Sequence, residues 1–257
     1  MEKDMTKGRP LPVILKFIIP LIIGNIFQQL YNMVDTIIVG RYVGADALAA
    51  VGSTGTIMFL IVGFAQGITA GFSVLTAQRF GAKDTEGVKI SVANGILLSL
   101  IFTIIISAFS MVSMHSLLKL MNTPDNIFED AYTYIMIISA GIIATIFYNL
   151  LSSYLRAVGN SKIPLVFLVF SAALNVILDL VLIVNVKMGV AGAAYATVIS
   201  QGISAILCLI YIYLRIPSLA PNRHHWKLHG QESRNQLAVG IPMALQFAIT
   251  ASGTMVM

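Results

Sequence analysis

Seven long apolar stretches, at 13–38, 51–75, 91–114, 131–154, 164–184, 191–214 and 236–257, constrain this chain more than anything else in it. Each is close to the ~20 residues that a helix needs to cross a ~30 Å hydrocarbon core. A segment inside a bilayer must pair its backbone groups within the protein, which a helix does on its own. The expectation is an all-α, polytopic membrane protein. Composition agrees: 57% of residues are hydrophobic and 11% charged, with a mean hydropathy of +0.87. A soluble domain carries about 25% charged residues. The net charge of +5 could suit a nucleic-acid binder, but the charges fall between the apolar stretches and not along one solvated face. No nucleic-acid partner is expected. The single cysteine, Cys208, lies in an apolar stretch and excludes an intrachain disulfide.

The connecting segments hold helix signals and a strong charge bias. Thr123-Pro124-Asp125 sets a capping residue, a proline and an acid at a helix start, and Lys162-Ile163-Pro164 opens the fifth helix in a similar way. Lys3, Lys7, Arg9 and Lys16 precede or open the first stretch. Arg79, Lys83 and Lys89 follow the second, Arg156 and Lys162 the fourth, and Arg215, Arg223, Lys227 and Arg234 the sixth. The opposite side receives only Arg41, Lys119 and Lys187. This places the N-terminus in the cytoplasm. A cleaved signal peptide is the competing view of the first stretch, but Asn25, Gln28, Gln29, Asn32 and Asp35 break up its apolar run.

Asp35 and Asp179 interrupt stretches that otherwise read as spans. An ionised carboxylate near the bilayer centre costs about 2.5–3.5 kcal/mol even on lenient scales. Proton or cation binding is the natural use of such a group, because either relieves the buried charge. Lys16 and Arg156 lie at helix ends, so no basic residue within the membrane is placed to pair with them. The other polar residues are ordered too. Gln28, Tyr31, Asn32 and Asp35 share one face of the first helix, and Asn175 and Asp179 stack on the fifth. Thr197, Ser200, Gln201 and Ser204 form a stripe on the sixth, and the fourth offers Thr145, Asn149 and Ser152 toward Arg156. Polar faces in a bilayer look inward, to partner helices or a water-filled cavity. For single hydroxyls, helix–helix packing is the ordinary role.

Residues 237–257 can be laid on 15–35 without a gap, so that Leu15, Ile19, Pro20, Met33 and Val34 fall on Leu237, Ile241, Pro242, Met255 and Val256. Repeats of six helices in one orientation are common among transporters. This reading divides the chain into a cytoplasmic N-terminus at 1–12, a six-helix lobe at 13–214, a cytoplasmic inter-lobe loop at 215–235, and the first helix of a truncated second lobe at 236–257. The lobe is expected to fold, with the seventh helix poorly fixed for want of partners.

Five motifs then follow one another in order: GRYVGADALAAVG at 40–52, AQRFGAKD at 77–84, LRAVGNSKIP at 155–164, NVILD at 175–179 and GVAGAAYATVISQ at 189–201. Together they resemble the N-terminal lobe of the multidrug and toxic compound extrusion (MATE) transporters, over nearly the whole chain from about residue 10. The resemblance implies one six-helix bundle of a twelve-helix fold. It also implies a secondary active antiporter that exports amphipathic, often cationic drugs or metabolites in exchange for Na+ or H+. Carried over by motif, the cation site falls on Asp35, Asn175, Asp179 and Thr197, with Asn149 close by, and Pro20 matches the proline at which the first helix bends. Two carboxylates, an amide and a hydroxyl are hard oxygen donors suited to Na+. Gln28, Tyr31, Asn32 and Gln201 are candidates for the substrate cleft. One departure is that 242–257 carries no acid, where one branch of the family has one, so coupling would rest on this lobe alone. The implied partners are an amphipathic or cationic small molecule, membrane lipid, and a missing C-terminal lobe or a second copy. The implied location is the bacterial inner membrane, and no cofactor beyond the coupling ion is implied.

Other features carry less. His224, His225 and His229 beside Trp226 could conceivably hold a metal, but a solvated loop is the plainer reading. The glycines at 67–71 and 189–192 read as close helix packing or turns, not phosphate cradles. Phe17, Phe27, Phe64 and Phe147 could join Tyr31 along a drug cleft, though lipid-facing packing is the default. No Ser–His pair, GxGD-like acid pair or HExxH motif suggests a membrane enzyme, and His115 has no nucleophile beside it. A lipid-linked oligosaccharide flippase of the same superfamily is one alternative, and a transport-inactive half is another. A flippase cavity would be basic, whereas the cavity expected here is acidic and amidic.

Overall fold

The computed structural model describes residues 9–256, excepting the side chains of Pro10 and of 251–256. Lys3, Lys7 and the Met255 and Val256 side chains lie outside the described residues. Eight α-helices follow in order: α1 (Pro10–Tyr42), α2 (Ala45–Gly81), α3 (Thr85–Leu120), α4 (Asp125–Ala140), α5 (Ile142–Ala157), α6 (Lys162–Asp179), α7 (Val190–Arg215) and α8 (Gly230–Val256). Among the described residues there is no strand. α1, α2, α3, α7 and α6 with its extension to Asn185 are each long and apolar enough to span a bilayer. α4 and α5 make one further span, bent by 49°. Outward-facing apolar side chains such as Ile22, Ile104, Phe109 and Ile206 are more than half exposed, as a lipid-facing surface requires.

Local chemistry sets the ends. Asp84 caps α3, its carboxylate accepting from the Gly87 N–H at 2.8 Å, and Glu86 lies in the first turn where the helix dipole favours an acid. The chain turns from α1 to α2 through Gly44 at φ +130°, a conformation that a side chain would strain. One expectation about helix starts needs revision, while α6 opens at Lys162 as read. Thr123 does not cap α4, whose N-cap is Pro124 without a side-chain hydrogen bond. At α6 the capping group is Asn160, whose side chain accepts from the Ile163 N–H at 3.2 Å, with Pro164 one residue further on.

Two breaks shape the bundle. Gly141 separates α4 from α5, and Val198 of α7 fills the space that a Cβ at Gly141 would need. Beyond Asp179 the helix continues as a π-helical turn, Leu180–Asn185, so Asp179 sits where the hydrogen-bond register changes. By contrast, α1 runs unbroken through the buried Pro20.

The expectation that the seventh apolar stretch would be poorly fixed is overturned as far as Thr250. α8 starts at Gly230, inside the segment read as a loop, and its contact with α2 is the most extensive between any two helices. Gly63, Gly67 and Gly71 form a one-sided stripe on α2, facing Phe247, Ala244 and Gly240 of α8. The backbones approach so closely that a Cβ on Gly67 would stand 2.5 Å from Ala244 Cα. A buried polar latch completes the attachment. Asn94 of α3 donates to Gln236 (2.9 Å) and Ser233 (3.1 Å) and accepts from the His229 N–H (2.9 Å). Gln236 in turn donates to the Ser91 carbonyl at 2.8 Å, and Arg79 pairs with the buried Glu232.

Candidate functional site

Three helices bring Asp35, Asn175, Asp179 and Thr197 together. Asp35 comes from α1, Asn175 and Asp179 lie one turn apart on α6, and Thr197 faces them from α7. Asn175 and Asp179 are fully buried and Asp35 is half-buried. With its amide oriented to satisfy both ends, Asn175 donates to Asp179 Oδ2 at 2.9 Å and accepts from the Thr197 N–H at 3.2 Å. Its amide also lies 3.3 Å from Thr197 Oγ1, which is 3.4 Å from the Tyr31 hydroxyl. The Asp35 and Asp179 carboxyls are close enough to interact electrostatically. Among the described residues no Lys or Arg pairs with either acid, and one oxygen of each is buried without a partner. Two carboxylates held near one another without a basic partner repel if both are charged. The free carboxylate oxygens, the Thr197 hydroxyl and the Asn175 amide oxygen are hard donors of the kind that an alkali ion takes. Beside the pair, Asn32, Asp35, Thr36, Thr54 and Tyr134 line a cleft of about 310 Å³. Tyr134, on α4, is a member that the sequence did not single out, since one tyrosine in an apolar helix carries no periodic signal.

The remaining candidates go elsewhere. Asn149 is spent on its own helix, donating to the Thr145 carbonyl at 2.8 Å, and lines a different cavity. Gln201 accepts from Thr145 Oγ1 at 2.5 Å and so pins α7 to α5. Gln28 and Asn32 bond to each other at 3.3 Å on α1, but Gln28 borders the second cavity and Asn32 the cleft. Phe64 and Phe147 pack on buried clusters, and Phe27 is 40% exposed.

That second cavity, of about 440 Å³, lies between α1, α2, α5, α6 and α8. Pro20, Asn25, Gln28, Gln66, Asn149 and Ser161 are among its walls, and its one charged residue is Arg156. The expected acidic and amidic cavity is therefore two spaces. Asp35 lines the small cleft with Asp179 buried behind it, and the larger cavity combines amides and hydroxyls with a single cation.

His224 and His225 do converge with Glu86, while the described contact of His229 is its backbone N–H on Asn94. Both ring nitrogens of His225 are engaged, Nδ1 by the Asn222 N–H at 2.9 Å and Nε2 by Glu86 at 2.8 Å. The cluster acts as a strap from the α7–α8 connection to the start of α3.

Comparison with known proteins follows the geometry. Residues 20–181 match the MatE family. The chain is 32% identical over 254 residues to the probable multidrug resistance protein YpnP of Bacillus subtilis, covering 98% of this chain and 56% of that protein. Among solved structures, it is similar to the outward-facing conformation of a multidrug resistance MATE family transporter (TM-score 0.85, 29% identity, 93% of this chain and 53% of that one). It is equally similar to a MOP superfamily transporter from Pyrococcus furiosus described as having a binding pocket of reverse polarity (TM-score 0.86, 29% identity, 95% and 54%). The chain spans about half the length of the curated relatives it matches. The family consists of multi-pass membrane transporters and not enzymes, and its named relatives here are multidrug resistance proteins. On residue order, helix order and three-dimensional likeness alike, this chain belongs to the MATE family.

Proposed function

We propose that the chain supplies the N-terminal lobe of a secondary active antiporter that exports amphipathic compounds, many of them cationic, in exchange for Na+ or H+. The observation that carries this is the Asp35–Asp179 pair, held by α1 and α6 beside Thr197 and Asn175 with no basic partner among the described residues. Loading the pair with a cation and unloading it changes the charge between two helices, which is the physical requirement for coupling an ion to a rearrangement. The Lys- and Arg-rich connections support a cytoplasmic placement for the α2–α3, α5–α6 and α7–α8 ends, and the inner membrane as location. A lipid-linked oligosaccharide flippase would call for several basic residues around its cavity; one arginine among amides and hydroxyls fits export of amphiphiles better.

Alternating access needs one bundle to move against another. The second bundle comes from a second copy of this chain or from a C-terminal lobe. The test is dye export from proteoliposomes holding the 257-residue chain, alone or joined to the C-terminal half of a relative, with Na+ and pH gradients imposed one at a time. Export should require one gradient and both bundles, and should vanish in Asp35→Asn. Undiminished export by Asp35→Asn overturns the coupling role. Export by the monomeric chain alone overturns the half-transporter reading.

A further inference from the structure

Arg156 is the feature that the antiport reading leaves unused. It sits in the last turn of α5, where an arginine ordinarily carries its head outward to water or the lipid interface. Here the guanidinium turns back along its own helix instead, Nη2 donating to Ser153 Oγ at 2.8 Å, three residues deeper in the bundle. Among the described residues no carboxylate pairs with it. A fork of five N–H donors with one hydroxyl partner, in a cavity without an acid, is a charge lacking its counterion.

The cavity around it is asymmetric. Near Arg156 stand Ser153 and Ser161, and Ser161 occupies the N-cap of α6 without making a side-chain capping bond. The positive end of the α6 dipole therefore meets the same mouth. The rest of the wall is mixed: Leu21 on α1, Leu165 and Leu168 on α6 and Phe247 on α8 give apolar surface for a tail, beside the neutral amides of Asn25, Gln28, Gln66 and Asn149.

We infer that this cavity is a binding site for an amphiphile with an anionic head, a phosphate or a carboxylate, held by Arg156 with the tail lying between α1 and α6. Arginine is the side chain whose fork matches both heads in bidentate fashion. The inference rests on the reading that this lobe accommodates amphiphiles, and it adds an anionic-headed member to a class whose other members are cationic. Two sources share the chemistry: a phospholipid drawn from the surrounding leaflet, and an amphipathic cargo arriving from water.

The experiment is equilibrium binding without any gradient, so that its failure is separate from a failure of antiport. Purified chain in phosphatidylcholine nanodiscs is titrated with dodecyl phosphate, with dodecyltrimethylammonium as the cationic counterpart. Dodecyl phosphate should bind more tightly, and Arg156→Gln should weaken it at least about tenfold, with Arg156→Lys in between. Phenylglyoxal labelling of wild-type Arg156, read by peptide mass spectrometry, gives a measure that needs no variant to fold. Dodecyl phosphate should protect Arg156 and the ammonium should not. Phosphatidylglycerol that co-purifies with wild type and is lost in Arg156→Gln identifies the lipid source. Protection by dodecyl phosphate with no retained anionic lipid identifies cargo. Equal binding of the two amphiphiles, unchanged affinity in a folded Arg156→Gln, or labelling that dodecyl phosphate does not slow overturns the assignment.

Discussion

Adding two methyl groups should prise α8 from α2. A Cβ on Gly67 would stand 2.5 Å from Ala244 Cα and 2.7 Å from both Ala244 N and Met243 O; on Gly71 it would meet Gly240 Cα and lie 2.7 Å from Gly240 N. Nonbonded carbons settle at about 3.5–4.0 Å, so α8 must retreat by about 1 Å along this stripe. The latch cannot follow. Its bonds from Gln236 to the Ser91 carbonyl (2.8 Å) and from Asn94 to Gln236 (2.9 Å) would be stretched past the ~3.5 Å at which such bonds fail. Overpacking costs about 1–3 kcal/mol per site and each lost hydrogen bond about 1 kcal/mol, while alanine's helix propensity returns about 1 kcal/mol per site. The net for Gly67→Ala with Gly71→Ala is about 2–6 kcal/mol of α2–α8 association. The reporter is a cysteine pair, Gly63→Cys with Phe247→Cys, in a Cys208→Ala background. The Cβ positions are 3.7 Å apart, within the ~3.5–4.5 Å range that disulfides favour. Oxidation in membranes should be fast in the parent and slowed about tenfold or more by the two alanines. Gly55→Ala, whose Cβ would meet nothing within 4 Å, is the control. Equal oxidation rates in all three would refute the claim that the glycine stripe clamps α8.

Three further outcomes are expected. Asp179→Asn should abolish gradient-driven dye export while membrane insertion stays normal, and wild-type export by this variant would remove Asp179 from coupling. Glu232→Gln leaves Arg79 without the partner it has in a buried pair, at a cost of about 3–5 kcal/mol visible as a lower unfolding midpoint in detergent; replacing both by Met and Leu should recover most of that loss. Gly141→Ala drives a methyl into Val198 and should destabilise by about 1–3 kcal/mol, with Val198→Ala as second-site rescue; absence of rescue would mean that the loss has another cause than the Val198 clash.

Periodic information was legible in the sequence, and paired information was not. The apolar stretches and the Asp35, Asn175, Asp179 and Thr197 faces follow from spacing along single helices, and the structure places those four side chains in one cluster. Gly141 breaks a span at one residue inside an apolar run, so neither length nor hydropathy marks it. The π-helical turn after Asp179 has the composition of a continuing helix. The latch on α8 escaped notice for a different reason. Ser91 and Asn94 are isolated polar residues on α3; their partner Ser233 lies in a segment that reads as loop, and Gln236 is the first residue of the apolar stretch that follows. Arg156 was visible as a basic residue at a helix end; its inward turn is a rotamer fixed by Ser153, which no pattern encodes.

The arrangement of charge along α1 gives these sites a common logic. Pro20, Leu21, Gly24, Asn25 and Gln28 face the cavity that holds Arg156, whereas Asn32, Asp35 and Thr36 face the cleft beside Asp179. Gln28 and Asp35 are two turns apart, about 10 Å along the axis. Had the guanidinium and the carboxyl pair opened into one space, they could have neutralised each other. The fold separates them instead. The carboxyls lie near one another, and the guanidinium turns to a serine. Each is then an ionisable group, partly or fully buried, that the described protein groups satisfy incompletely, which is costly to maintain in a bundle this apolar. On the two proposals above, these groups of opposite sign, facing two walls of α1, would serve two different ligands: a cation at the pair and an anionic head at the arginine.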